Sequence, residues 1–263
     1  MAQAVHSVLQ RRRITSVKRS TDMNKVTTAI ATGLLFGACS WVSAAPILSV
    51  SAQGGTAAGQ AESNFLATLS GGYLTETFDD NTFYNPGDQS VSINSQVGVG
   101  SFTSAAPGSG GLCDSGGYDC TQGLAVLDAG TTPFSGRYSV SGDNWLDSMD
   151  AREMSISPAA GYNATGFYMT DPNDAGGRFS IGGVDFNFSD IFGTALGNGR
   201  IFYISIFDTA GLGSVSIFSN SPNDGYGLDN VTVGTVAVPE PGTLALFGLG
   251  LVGLILARMR KQS

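Results

Sequence analysis

Arg200-Ile-Phe-Tyr-Ile-Ser-Ile-Phe207, Ser214-Val-Ser-Ile-Phe218 and Leu228-Asp-Asn-Val-Thr-Val233 decide the fold class. Each alternates apolar and polar residues, uses β-branched or aromatic side chains, and is bounded by Gly, Asn, Asp or Pro. That is the pattern of a half-buried antiparallel strand. It recurs upstream in Leu74–Phe78, Ser90–Asn94, Val97–Phe102, Gly123–Leu127, Arg137–Val140, Glu153–Ser157, Thr165–Met169, Arg178–Ile181 and Val184–Phe188. No sustained 3.6-residue period appears anywhere outside the two ends of the chain, from Ala45 to Val236. The pattern predicts an all-β domain over 73–236, a β-sandwich or jelly roll of 10–12 antiparallel strands. Residues 45–72 are rich in Ala, Gly, Ser and Gln and read as a flexible leader or a loosely attached first strand.

The ends differ from this middle. Met23-Asn-Lys25, the apolar stretch from Val26 to Gly37 and the small-residue site Val42-Ser-Ala44 form a secretory signal peptide with its own short helix, cut after Ala44. Residues 1–22 lie upstream of this better start at Met23. At the other end, Pro239-Glu240-Pro241 is held extended, because proline fixes φ and removes a backbone donor. Fifteen uncharged residues, Thr243 to Ala257, follow as a short membrane helix. Arg258, Arg260 and Lys261 then form a basic tail that favours the cytoplasmic side. An ordinary membrane anchor would have the same outline, although a span usually needs about 17 to 25 apolar residues. Gly248 to Gly253 spells GxGxxG, but no strand–turn–helix unit surrounds it, so it is no dinucleotide site.

Between the two signals, Ala45 to Val238 holds nineteen acidic residues, four arginines (137, 152, 178 and 200), no lysine and no histidine, a net charge of about −15. Such a domain has no electrostatic basis for binding nucleic acid. Without histidine it cannot build a Ser-His-Asp or Cys-His site, nor a His-ligated zinc site. Any catalysis would run on carboxylates, as in glycoside hydrolysis. Cys113 and Cys120 lack CxxC spacing and are expected to form a disulfide, which would stabilise by roughly 2–3 kcal/mol for so short a loop.

The ordered set of Pro239-Glu240-Pro241, short apolar helix and basic tail over 237–263 resembles the PEP-CTERM sorting signal. Thr165-Gly-Phe-Tyr-Met-Thr-Asp-Pro-Asn-Asp-Ala-Gly-Gly177 and Asn223 to Val233 are similar to strands of PEP-CTERM surface proteins. The resemblance implies export through the Sec translocon, transient residence in the inner membrane, and recognition by an exosortase. It then implies delivery to the cell surface or the extracellular matrix. Together with the β-rich domain and the absence of basic or nucleophilic catalytic sets, this gives the expectation of a non-enzymatic protein that binds exopolysaccharide. The alternative is a carboxylate-based glycoside hydrolase.

Structural calcium is the one cofactor the residues suggest. Asp171 and Asp174 sit on a turn rich in oxygen ligands, although Asp, Pro, Asn and Gly are also simple turn formers. Similarity to sugar-binding jelly rolls implies that Asp229, in the last strand, joins acids near the first strand (Glu76, Asp79 and Asp80) around such an ion. Asp229 could equally face solvent. Trp145, beside Asp143, Asn144 and Asp147, is either a sugar-stacking platform or a core residue.

Overall fold

The computed structural model describes residues 45–172, 177–193, 197–221, 223–237 and 243–260; the signal peptide lies outside them. Among the described residues the chain forms fourteen strands in two antiparallel sheets. The first sheet runs β1 (Ile47–Val50), β12 (Ile201–Phe207), β9 (Ala164–Thr170), β14 (Gly227–Val236), β7 (Trp145–Asp147), β6 (Leu124–Leu127) and β3 (Gln89–Ser90). In it β2 (Leu69–Glu76) also pairs with β14. The second runs β11 (Val184–Asn187), β10 (Arg178–Ile181), β13 (Val215–Phe218), β8 (Glu153–Pro158), β5 (Gly100–Ala106) and β4 (Ser92–Asn94). Only short helices interrupt the strands: α1 (Gly55–Thr68), α2 (Leu112–Ser115) and α3 (Phe188–Ile191); α4 (Thr243–Arg260) closes the described chain.

The alternation that predicted strands also assigns their faces. Met154 and Ile156 of β8, Phe179 and Ile181 of β10, and Val215 and Ile217 of β13 are buried while their neighbours are less so. They join Phe167, Met169, Ile204, Ile206, Val231 and Val233 of the first sheet in one apolar cluster. Both sheets therefore contribute to a common core.

Central strand β9 is buried at all seven positions. Phe167 and Met169 point into the shared core, whereas Ala164 and Tyr168 belong to a second cluster with Ala58 and Phe65 of α1. The helix thus covers the other face of β9 and β12. Residues 45–72, expected as a flexible leader or a loosely attached first strand, form β1, α1 and the start of β2. The stripe that buries α1 consists of Ala58, Ala61 and Phe65, spaced three and four apart, and its two alanines give only a faint amphipathic signal. Glu62 fixes the helix further. It accepts a hydrogen bond from Tyr168 Oη at 2.8 Å and one from Asn230 Nδ2 at 3.2 Å.

The C-terminal helix corrects another expectation. Among the described residues no helix is long and apolar enough to cross a membrane. The eighteen residues of α4 rise about 27 Å, against a hydrocarbon core of roughly 30 Å. Three glycines and two terminal arginines dilute its apolarity.

The contact between α1 and the sheet needs glycine at one point. A Cβ on Gly166 would strike Tyr203 Oη and would lie 2.8 Å from the Phe65 ring. Gly166→Ala should therefore destabilise the fold by about 1–3 kcal/mol, as overpacking does. Urea unfolding measures this directly; an unchanged midpoint would mean that the helix does not pack on β9.

Candidate functional site

Most of the acids singled out in the sequence lie on loops at strand ends, where each accepts backbone N–H groups. Glu76 ends β2 and is 2% exposed. Its Oε1 accepts from Phe78 N at 3.0 Å; Oε2 accepts from Gln96 N at 2.8 Å and Ser95 Oγ at 2.7 Å, closing the turn after β4. Asp79 Oδ1 accepts from Asp143 N (2.8 Å) and Asn144 N (3.0 Å). Asp80 accepts from the backbone and hydroxyl of Thr82 and so makes a local turn.

Asp229 reaches the same 140–144 loop from beneath. A bulge in β14 leaves Asn230 at φ 47°, and Asp229 is 1% exposed. Its Oδ2 accepts from Val140 N at 2.6 Å and Ser141 N at 3.0 Å, and its Oδ1 accepts from Asn230 N at 2.7 Å. Burial pushes its carboxyl up to about 7 even though three amide donors pull the other way, and Asp79 nearby adds to the rise. Asp79 and Asp229 thus grip one loop through four of its amides. Asp171, at φ 60°, holds a different loop, accepting from Gly199 N at 2.8 Å.

The structure therefore brings Asp79 and Asp229 together and leaves Asp171 elsewhere; Asp174 lies outside the described residues. Among the described residues, the grouping of three side chains close enough to share a metal ion is Cys113, Asp114 and Cys120, whose thiols are joined as a disulfide. Trp145 is 2% exposed and donates from Nε1 to Asp147 Oδ2 at 3.2 Å. It packs with Cys113, Cys120, Leu127 and Met149. Buried in that cluster, its ring presents no open face on which a sugar could stack.

Sequence reasoning missed the densest charged cluster. Arg137 is 3% exposed; its Nη1 lies 3.0 Å from Asp147 Oδ1 and its Nη2 lies 2.8 Å from Asp150 Oδ1. Asp224 approaches to 3.6 Å, and the Phe134 ring stacks 4.1 Å from the guanidinium. Asp147 also accepts from Met149 N, and Asp150 from Cys113 N, which ties the cluster to the disulfide segment. Burial works against the charge on Arg137, but Asp147 and Asp150 outweigh it and hold the guanidinium ionised. The signal for this was scarcity: with four arginines and no lysine in the domain, each cation is a candidate partner for buried acids.

Of the sorting residues, Arg258 and Arg260 occupy the last turn of α4, while Pro239, Glu240, Pro241 and Lys261 lie outside the described residues.

Residues 237–261 match the PEP-CTERM protein-sorting motif. No curated protein matches the chain. Among solved structures, the K2 cleaved adhesin domain of Lys-gingipain aligns at 13% identity and a TM-score of 0.35, covering 62% of this chain and 99% of that one. So low a score carries no argument about this chain. The motif, however, implies an exported protein processed with an exosortase as its partner.

Removing the guanidinium would strand two buried carboxylates. Arg137→Leu should cost about 3–5 kcal/mol in urea unfolding; a cost near zero would mean that Arg137 does not hold Asp147 and Asp150. Asp229 makes a pH prediction. Its folded-state pKa is raised, so between the unfolded value of 3.8 and about 7 the native state binds the proton more tightly than the unfolded chain. Stability from this group is therefore lost as pH rises through that window. Asp229→Asn lacks the term, so its melting temperature should gain on the parent's between pH 5 and pH 8. A difference moving the opposite way would overturn the assignment.

Proposed function

We propose that this protein is a non-enzymatic ectodomain, released to the cell surface or extracellular matrix after exosortase sorting, where it binds exopolysaccharide. The observation that carries this reading is the sorting motif at 237–261. The composition of the domain supports the absence of catalysis. It contains no histidine and no lysine, and its most buried acids are engaged by amides or by Arg137. Asp229, with its pKa near 7, has the protonation behaviour of a general acid, but it is sealed beneath the 140–144 loop. A glycoside hydrolase needs such a group in contact with its substrate. Under this proposal the Sec translocon exports the chain. Residence at the inner membrane is then transient and ends when the exosortase acts.

The test is the intact mass of the protein recovered from its host, measured separately in membrane and medium. A species lacking residues 1–44 and ending near Pro239-Glu240-Pro241 is expected in the envelope or medium. A single membrane species that retains Arg258 to Ser263 would overturn release and leave an anchored ectodomain.

A further inference from the structure

A cleft of about 650 Å³ opens beside Arg137, between loops at one end of the two sheets. That volume falls within the usual range for a small-molecule site. One wall is the disulfide-braced segment of α2, where Leu112 is 51% exposed. This wall packs tightly on the next: a Cβ on Gly116 would lie 2.5 Å from Pro133. The opposite wall carries Asn198, whose Nδ2 donates to Ser135 Oγ at 3.1 Å; the same loop is tied to Tyr138, whose hydroxyl donates to Gly199 O at 3.2 Å. Gly136 approaches Asn198 so closely that a Cβ there would collide with its amide oxygen. At the floor lie Phe134 and the Arg137 guanidinium, whose Nε finds no acceptor among the described residues. Asp171 and Asp224 complete the lining, and the Asp224 side chain is 29% exposed.

We infer that this cleft binds a neutral sugar residue. The inference rests on the polysaccharide-binding reading above and gives it a place. Three features favour that ligand. Apolar surface from Leu112, Pro133 and Phe134 meets carboxylate, amide and hydroxyl groups in one rigid cleft, which suits a ring with one C–H face and several hydroxyls. Carboxylates accept hydrogen bonds while the Arg137 Nε–H still needs an acceptor, so the ligand must both donate and accept, as hydroxyls do. Three carboxylates, Asp147, Asp150 and Asp224, converge on the single charge of Arg137, which leaves this side of the cleft net negative and unfavourable to uronates. The disulfide acquires a role as well: it holds the wall that fixes the cleft's width before any ligand arrives, and preorganisation of this kind reduces the entropy lost on binding.

Saturation-transfer NMR on the full-length protein in mild detergent tests this with galactose, glucose, mannose, rhamnose, N-acetylglucosamine and galacturonate as probes. Transfer to at least one neutral sugar and none to galacturonate is expected. Asn223→Ala and Asn198→Ala, each with an unchanged melting temperature, should weaken it about five-fold, the order expected for losing one hydrogen bond. If neutral sugars bind equally well to the parent and both variants, the site is wrong while the polysaccharide reading survives. If no neutral sugar receives transfer, the cleft proposal fails. Should the parent then also fail to co-sediment with polysaccharide purified from the host, the wider reading fails with it. Calcium binding lost in Asp224→Asn without any sugar signal would make the cleft a cation site and would likewise overturn the proposal.

Discussion

A carboxylate taken out of water must find donors, and a domain with nineteen acids and four arginines has few cations to supply them. This constraint organises the loops. Glu76, Asp79 and Asp229 draw their donors from the backbone, each closing a segment whose N–H groups would otherwise need partners of their own. Charge-assisted hydrogen bonds of this kind are stronger than neutral ones, so a loop can be fixed without apolar packing. Where the backbone does not suffice, Arg137 is spent: it is the buried cation among the described residues, and Asp147 and Asp150 converge on it. The backbone yields to this demand, since Met149 and Asp150 both adopt positive φ. Breaking the cluster would therefore disturb the 147–150 loop, the disulfide segment through Cys113, and the approach of β14 through Asp224.

The β architecture was legible because its signal is local. Phe179 and Ile181, or Val215 and Ile217, alternate with serines, and a period of two is readable in four residues. The helix α1 was illegible for the converse reason. Its buried stripe depends on Ala58 and Ala61, small residues that read equally well as a loop, and only the open face of β9 shows why a helix must lie there. Asp229 stood out as an acid inside a strand, and that oddity was informative. Its partners, Val140 and Ser141, lie nearly ninety residues away and could not be named from spacing. The Arg137 cluster joins side chains from three separate stretches of chain, and although Asp147 and Asp150 lie only 10 and 13 residues on, no periodic pattern pairs them with the arginine. The cleft was invisible to sequence reading because it is made by loops meeting, not by a motif.

The sorting motif and the domain meet with little slack. β14 ends at Val236 and α4 begins at Thr243, so six residues join them, a reach of about 20 Å even when extended. A processing enzyme that reads Pro239-Glu240-Pro241 must therefore work close against the folded domain. The last strand is secured for that encounter. Val236 N donates to Asn163 Oδ1 at 2.7 Å, Asn163 Nδ2 donates to Val236 O at 2.9 Å, and Val236 pairs with Leu69 of β2. A chain end held on both sides resists fraying, the usual route by which strand termini open. Cleavage anywhere beyond Val236 would remove no strand from either sheet, so release of the tail and persistence of the fold are compatible in the same molecule.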